Sequence, residues 1–278
     1  MKKGYLSATP FALWMTLFTI VPLGVVLWFA FTDGAGHFTL ENIWAIGDYF
    51  VVFADSIKLG AIATVICLVL AYPLAYSISR KSHRVQQTMV MMVMLPMWMN
   101  FLLRTYAWMS ILENNGWINR LLRMIGILGE TESIPLINTE GAVVLGMVYN
   151  FLPFMVIPLY SVMVKIDGSV VEAAQDLGSN GYQIFRRVIL PLSAPGIVSG
   201  ITMVFVPAVS TFVISKLLGG GKDLLIGDAI ELKFIGQAQN YNVGAALSLV
   251  LMILILLCMV VTNKVDNTAD REGGGLVI

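Results

Sequence analysis

The most distinctive pattern of polar residues lies between residues 165 and 195. Ser169 followed three residues later by Glu172 predicts a capping box that starts a short helix. Gly178 can supply the left-handed residue that ends such a helix, and a second helix is expected from about Tyr182. The segment therefore predicts a rigid helix–turn–helix with a carboxylate near its start.

The residue types that usually carry out catalysis are scattered elsewhere in the chain. The two histidines, His37 and His83, and the two cysteines, Cys67 and Cys258, lie far apart, and both cysteines fall inside apolar runs. That spacing predicts neither a disulfide framework nor a metal site. The sequence also lacks a His-Glu-x-x-His helix and a nucleophile elbow. We therefore expect no catalytic residues, no metal ligands and no cofactor bound by this chain.

Three consecutive glycines at 219–221 invite comparison with a phosphate-binding loop. The P-loop requires Gly-x4-Gly-Lys-Ser/Thr, whereas Lys216 stands at the first glycine position and Asp223 follows the lysine. We interpret the segment instead as a flexible lid over a gate, or as a surface for a binding protein. Asp228 and Glu231 in this loop are candidate contacts for a cation.

Composition places the chain among membrane proteins. Of its 278 residues, 58% are hydrophobic and 12% are charged, and the mean hydropathy is +0.82. Soluble domains average about 45–50% apolar and about 25% charged residues. The formal net charge is zero, so no basic excess points to nucleic acid.

Six apolar runs are long enough to cross a bilayer, which takes about 20 helical residues. Because lipid offers no water to unpaired backbone groups, each run is predicted to be a helix. The first run is longer than a secretory signal, and no small-residue cleavage site follows it, so we interpret it as an uncleaved span. The fold class is thus all-α integral membrane, in one domain over residues 1–278. The predicted spans are Phe11–Phe31, Ile57–Ser79, Val90–Leu112, Gly141–Val164, Gly196–Leu218 and Val243–Thr262.

Lysine and arginine set the orientation, because cytoplasmic loops carry an excess of them. The loop after the first span has none, whereas the loops after the second and fourth spans are basic. Both termini and the 165–195 loop are therefore predicted to be cytoplasmic, and the loop with Asp228 and Glu231 is predicted to be outside. The residues assigned to the cytoplasm are Lys2, Lys3, Arg80, Lys81, Arg84, Lys165, Arg186, Arg187, Lys264 and Arg271.

Polar and aromatic residues inside the spans are candidates for lining a pathway. No span contains Asp or Glu, so any cation site within the membrane is expected to be weak. Pro153 and Pro158 make the fourth span the one most expected to bend or break, either as a packing kink or as a mid-membrane cargo site. Interface anchoring and helix packing are the alternatives for each candidate. The candidates are Trp98, Asn100, Tyr106, Trp108, Tyr149, Asn150, Ser210 and Thr211.

Arg104 is the only charged residue well inside a span. An intramembrane charge is costly and is usually functional or paired. Because Arg104 lies toward the outer end of its span, we expect it to reach the interface, to cap carbonyl groups or to meet an acidic group. A structural or gating role follows from each of these arrangements.

The 165–195 loop resembles the EAA signature of ABC importer permeases. Glu172-Ala173-Ala174 is followed after three residues by Gly178, and nine residues later by Val188-Ile189-Leu190-Pro191. Val188 stands where the pattern usually has isoleucine. The chain as a whole looks like the first permease subunit of spermidine/putrescine importers. The segments that carry this wider likeness are 38–43, 95–107, 152–160, 176–178 and 225–230.

The resemblance implies a type I ABC importer permease in a bacterial inner membrane, in contact with membrane lipid. It implies a loop that couples to an ATPase through Glu172, Ala173, Ala174, Asp176, Gly178 and Pro191. It also implies a second permease subunit, two ATPase subunits that hold ATP and Mg, and an extracytoplasmic substrate-binding protein. A permease for another small solute is the main alternative. An ion-driven secondary carrier is the alternative from another class, although buried acids and inverted repeats are missing.

Overall fold

A computed structural model describes residues 9–273 apart from residues 12, 222–223 and 237–238, and only the backbone of residues 261 and 263–273. Within this part of the chain the regular structure is helical, apart from one isolated bridge between Thr32 and Phe38. Some residues used above for the orientation and for the P-loop comparison lie outside the described residues or have undescribed side chains. They are Lys2, Lys3, Asp223, Lys264 and Arg271.

The helices are numbered here in chain order. The first six are Thr9–Ala30 (α1), Glu41–Ser79 (α2), His83–Trp98 (α3), Phe101–Leu112 (α4), Trp117–Met124 (α5) and Glu140–Met163 (α6). The next six are Gly168–Asp176 (α7), Gly181–Leu192 (α8), Ala194–Ser210 (α9), Val213–Leu218 (α10), Ile226–Ile235 (α11) and Tyr241–Gly273 (α12).

The described residues contain four helices that could each cross a membrane alone, or six spans when each of two bent pairs counts as one. The bent pairs are α3 with α4 and α5, at 86°, and α8 with α9, at 64°. The predicted third span, Val90–Leu112, is therefore not one straight helix. The predicted second span also starts earlier than expected, because α2 already begins at Glu41.

The prolines of the fourth span do not break it. α6 is one continuous helix with Pro153 and Pro158 inside it, and both prolines are buried. α6 packs against α2 on one side and α9 on the other, and neighbouring helices hold such a segment in place where proline removes a backbone bond. The expectation of a break here is wrong. The break lies instead at Met99 and Asn100, whose extended backbone separates α3 from α4.

The core lies where α2, α6 and α9 pack against one another. α2 presents small, fully buried residues at every fourth position, namely Ala63, Cys67, Ala71 and Ala75. The Sγ atom of Cys67 lies 3.8 Å from the carbonyl oxygen of Val148 in α6. Small side chains allow such an approach, and close packing matters in lipid because apolar burial alone does not drive helices together.

α9 approaches α6 most closely at Gly196. A Cβ atom at this position would lie 3.0 Å from the carbonyl oxygen of Pro158 and 3.2 Å from the Cα atom of Leu159. These are backbone atoms, which cannot turn aside as a flexible side chain can, so glycine is required for the contact. α12 completes the bundle by packing on α1, α9 and α11. The result is a tight three-helix core with further helices around it.

Enlarging a side chain in the buried row of α2 should destabilise the protein. We expect Ala71→Leu to lower the free energy of unfolding by about 1–3 kcal/mol, the usual cost of overpacking. The measurement is thermal unfolding of the purified protein in detergent. Val69→Leu is the matched control, because Val69 is on the same helix and is 64% exposed. Equal unfolding temperatures for both variants would contradict the assignment of this face to the core.

Candidate functional site

The 165–195 loop folds into two short helices, but the first starts differently from the prediction. α7 begins at Gly168, and the Asp167 carboxylate caps it by accepting a hydrogen bond from the backbone N–H of Ser169 at 3.0 Å. This bond lowers the pKa of the Asp167 carboxyl. The predicted Ser169–Glu172 capping box is therefore wrong, because a charged acceptor two residues earlier takes the cap position.

The turn between α7 and α8 depends on Gly178. Its φ of 79° is in the left-handed region, which glycine adopts at no steric cost. Its N–H donates to the carbonyl of Gln175 at 2.8 Å, and the N–H of Ser179 donates to that of Ala174 at 3.0 Å. The predicted left-handed end of the first helix is thus confirmed. α8 then begins with a capping box in which the Asn180 side chain takes part.

α7 presents an outward surface that combines carboxylates with apolar groups. Glu172, Ala173 and Asp176 are exposed, and Ala174 is half-buried. Leu177, at the tip of the helix, is 87% exposed. Pro191, the last residue of the EAA pattern, is exposed on α8.

Both ends of the 165–195 loop are attached to α2. At the start of the loop, Arg80 donates from Nη1 to the carbonyl of Ile166 at 3.4 Å. At its end, the Tyr72 hydroxyl lies 2.8 Å from the Ser193 hydroxyl. The Tyr72 ring also packs edge-to-face on Phe185 in α8, with ring centres 5.6 Å apart. These contacts place the basic residues of two predicted cytoplasmic loops at one end of the bundle, and they allow a displacement of the loop to reach α2.

A buried glutamine joins three helices at the same end. The Gln86 side chain donates to the carbonyls of Ser79 at 3.0 Å and Lys81 at 2.9 Å, and it accepts a bond from the Tyr160 hydroxyl at 3.1 Å. Sequence reasoning missed Gln86, as it missed Tyr72. Gln86 lies in a polar stretch, residues 83–88, where one glutamine does not stand out, and a tyrosine in an apolar run such as Tyr72 does not identify its partner.

Two of the predicted pathway residues, Trp108 and Tyr149, meet between α4 and α6. The rings of Trp108 and Tyr149 are arranged edge-to-face with centres 5.4 Å apart. Asn150, next in the chain, is buried and donates to the carbonyl of Gly146 at 2.8 Å, while its own Oδ1 atom accepts no hydrogen bond from the residues that the structure describes. The structure therefore gives this part of the bundle an aromatic pair and one unsatisfied polar atom.

Arg104 joins this aromatic pair. It is 8% exposed, its Nε and Nη1 atoms have no hydrogen-bond partner among the described residues, and its guanidinium lies over the Tyr149 ring at 5.9 Å. A cation–π contact is worth about 0.5–2 kcal/mol, which is less than the cost of burying a charge in the membrane. Neither an acidic partner nor a capped carbonyl is observed for Arg104 among the described residues, and its reach to the interface stays a prediction.

The other pathway candidates lie elsewhere. Trp98, Asn100 and Tyr106 are exposed along the bend between α3 and α4, and Asn100 caps α4 by accepting the N–H of Leu102 at 2.8 Å. Thr211 is the extended residue that ends α9. Ser210, one position earlier in the chain, lines a cavity of about 540 Å³ between α9, α11 and α12.

The two acidic candidates of the predicted outer loop belong to a helix rather than to an irregular lid. Asp228 is 5% exposed, and its Oδ2 atom accepts the N–H of Leu225 at 3.0 Å. Burial raises the pKa of the Asp228 carboxyl, and the nearby Ser215 hydroxyl opposes the shift. Glu231 forms an ion pair with Lys216 at 3.1 Å. The sequence analysis did not anticipate this partner.

The chain matches one protein-family model over residues 5–269, and the family is described as the binding-protein-dependent transport system inner membrane component. This chain belongs to that family. Membership makes it an inner-membrane permease subunit of an ABC importer and not the subunit that hydrolyses ATP. It also accounts for the six apolar runs and for the EAA pattern.

Curated relatives cover nearly the whole chain. The spermidine/putrescine transport system permease protein PotB of Haemophilus influenzae is 38% identical over 267 residues, which are 93% of this chain and 92% of the relative. PotB of Escherichia coli K12 is also 38% identical, over 93% of this chain and 96% of the relative. The inner membrane ABC transporter permease YdcU of E. coli is 29% identical over 81% of this chain and 75% of its own length.

Solved structures share the fold at low identity. A chain from a bacterial ABC transporter that imports the acidic polysaccharide alginate superposes with a TM-score of 0.76 at 16% identity, over 96% of this chain and 94% of its own. A second structure of an alginate transporter, in complex with an alginate-bound periplasmic protein, gives a TM-score of 0.77 at 15% identity, over 94% of this chain and 92% of its own. These likenesses confirm the permease fold.

Replacing the left-handed glycine should loosen the 165–195 loop. We expect Gly178→Ala to destabilise the turn by about 1–2 kcal/mol, the cost of left-handed backbone for a residue with a Cβ atom. The measurement is hydrogen exchange of the amides of residues 168–184, which should become faster. Gly168→Ala is the control, because Gly168 lacks a positive φ and a Cβ there meets nothing within 4 Å. Unchanged exchange in the Gly178 variant would contradict the role of the turn.

Proposed function

We propose that this permease carries polyamines, spermidine and putrescine, into the cell as part of an ATP-driven importer. The proposal rests mainly on the 38% identity over 93% of the chain to relatives named as spermidine/putrescine permeases. The segments 95–107 and 152–160, which carry the resemblance described above, lie at the α3–α4 bend and in the second half of α6. The first of them contains three of the eight pathway candidates, Trp98, Asn100 and Tyr106.

The chemistry of the pathway candidates supports a cationic cargo that is held weakly. A polyamine is a flexible chain with several ammonium groups, which aromatic faces and carboxylates attract. Trp108 and Tyr149 offer aromatic rings, while the six apolar runs contain no carboxylate. Weak contacts inside the membrane suit a permease that releases its cargo quickly. Selectivity then resides in the extracytoplasmic binding protein.

We assign the partners by the same reasoning. The family description names binding-protein-dependent transport, and a structural relative was solved with a periplasmic binding protein. We propose that this chain pairs with a second, related permease subunit, that two ATPase subunits supply the energy, and that a binding protein delivers the cargo. ATP and Mg²⁺ are held by the ATPase subunits, and this chain contributes no ligand to them.

α7 is the proposed contact with the ATPase. Its exposed Glu172 offers a charge to a basic partner, Ala173 and Ala174 allow close approach, and Leu177 adds an apolar anchor. When the ATPase subunits close, they push on α7, and the Tyr72 and Arg80 contacts pass the displacement to α2. Because α2, α6 and α9 are tightly packed, they respond together and open the pathway toward the outside.

Reversing the charge at Glu172 should abolish transport without preventing membrane insertion. We expect cells that lack this chain to regain uptake of labelled spermidine with the wild type and not with Glu172→Lys, because the lysine repels the basic ATPase groove. Unlabelled putrescine should compete with the labelled spermidine. Membrane levels of both proteins are compared by immunoblot.

The matched control is Glu130→Lys, which makes the same charge change at an exposed residue of the predicted outer side. It should restore uptake as the wild type does. Uptake restored by Glu172→Lys would rule out the coupling role of α7. If neither protein restores spermidine uptake while both are present in the membrane, the polyamine cargo is wrong.

A further inference from the structure

An ion pair joins α10 to α11 at the predicted outer end of the bundle. The Lys216 ammonium lies 3.1 Å from each carboxylate oxygen of Glu231. The Lys216 side chain is 57% exposed, whereas that of Glu231 is 21% exposed. The ammonium therefore reaches from solvent onto a carboxylate that is mostly covered. Pairs with one exposed partner contribute little to stability, so stability alone is a poor explanation for this arrangement.

A second carboxylate lies one turn before Glu231 on α11. Asp228 is 5% exposed, and only its Oδ2 atom accepts a hydrogen bond, from Leu225. The Ser215 hydroxyl nearby donates instead to the carbonyl of Phe212 at 2.9 Å. Within the part of the chain that the structure describes, one carboxylate oxygen of Asp228 thus lacks a donor, whereas Glu231 is paired with Lys216.

The surroundings of Glu231 suit an alkylammonium group. Glu231 lines the cavity of about 540 Å³ between α9, α11 and α12 together with Phe212, Phe234 and Ser210. Ser210 is the last residue of α9, and the C-terminal end of a helix carries a partial negative charge. Aromatic rings attract ammonium groups, and the remaining walls are apolar apart from Ser248, which suits a chain of methylene groups.

We propose that Glu231 receives an ammonium group of the cargo as it enters from the outer side, and that Lys216 occupies Glu231 until the cargo displaces it. The side chain of Lys216 ends in the same chemical group as a polyamine, so its ammonium marks the position that the cargo amine takes. The exchange replaces one ammonium by another on the same carboxylate. This inference rests on the polyamine cargo proposed above.

The test uses the complete importer in proteoliposomes, with saturating binding protein and ATP, and counts the labelled spermidine taken up per ATP hydrolysed. Glu231→Gln should lower this ratio about tenfold, the scale of losing a hydrogen bond between charged groups. Lys216→Met should raise the ratio, because no resident ammonium has to be displaced. The two variants break the same ion pair and are expected to act in opposite directions.

A purely structural ion pair gives a different pattern. In that case Glu231→Gln and Lys216→Met both lower the ratio, and the double variant recovers because neither charge is left unpaired. Under the proposal the double variant stays as low as Glu231→Gln. Lys58→Met and Glu140→Gln serve as controls, because Lys58 and Glu140 form a similar pair at 3.0 Å between α2 and α6, away from the cavity. These controls should transport as the wild type does.

The outcomes separate this inference from the proposed function. Suppose that the wild type takes up spermidine, and that both variants change the ratio of spermidine to ATP in the same direction or leave it unchanged. The ammonium site is then overturned and the polyamine cargo stands. If the wild type takes up no spermidine in the complete importer, both proposals are overturned. Opposite shifts of the two variants, with a low double variant, support the site.

Discussion

The structure depends on how closely α2, α6 and α9 pack. Lipid provides no hydrophobic force between helices, so their association relies on close van der Waals contact. Ala71 and its neighbours on α2, and Gly196 on α9, make that contact possible. Because the three helices form one body, elements attached to its two ends are mechanically linked. Tyr72 ties α2 to the 165–195 loop, and at the other end the backbone N–H of Ile226 bonds the hydroxyl of Ser56 at 2.8 Å.

This arrangement explains how a permease without catalytic residues can use energy supplied elsewhere. The 165–195 loop presents α7 to solvent on a rigid turn, and α11 holds two carboxylates at the opposite end. Between them, the Tyr149 ring contacts both the Trp108 ring and the Arg104 guanidinium. Unpartnered polar atoms cost about 1–3 kcal/mol each when buried. Among the described residues such atoms belong to Arg104 in this group, to Asn150 next to Tyr149 in the chain, and to Asp228 on α11.

Local features could be predicted from the sequence, whereas pairings between distant residues could not. Span number followed from the length of the apolar runs, and the left-handed turn followed from Gly178, since both depend on neighbouring residues alone. The break before Asn100 was missed, because Pro153 and Pro158 gave a stronger kink signal than the capping ability of one asparagine. The pairs of Tyr72 with Ser193 and of Lys216 with Glu231 cannot be predicted from the spacing of these residues in the sequence. Only the packed bundle brings them together.

The most direct test of the account is ATP-driven spermidine accumulation in proteoliposomes that contain the complete importer, with the binding protein outside and ATP available to the ATPase subunits. The account predicts accumulation above the external concentration that requires both ATP and the binding protein and does not respond to an imposed proton or sodium gradient. Accumulation driven by such a gradient in the absence of ATP would contradict it and would make the chain a secondary carrier.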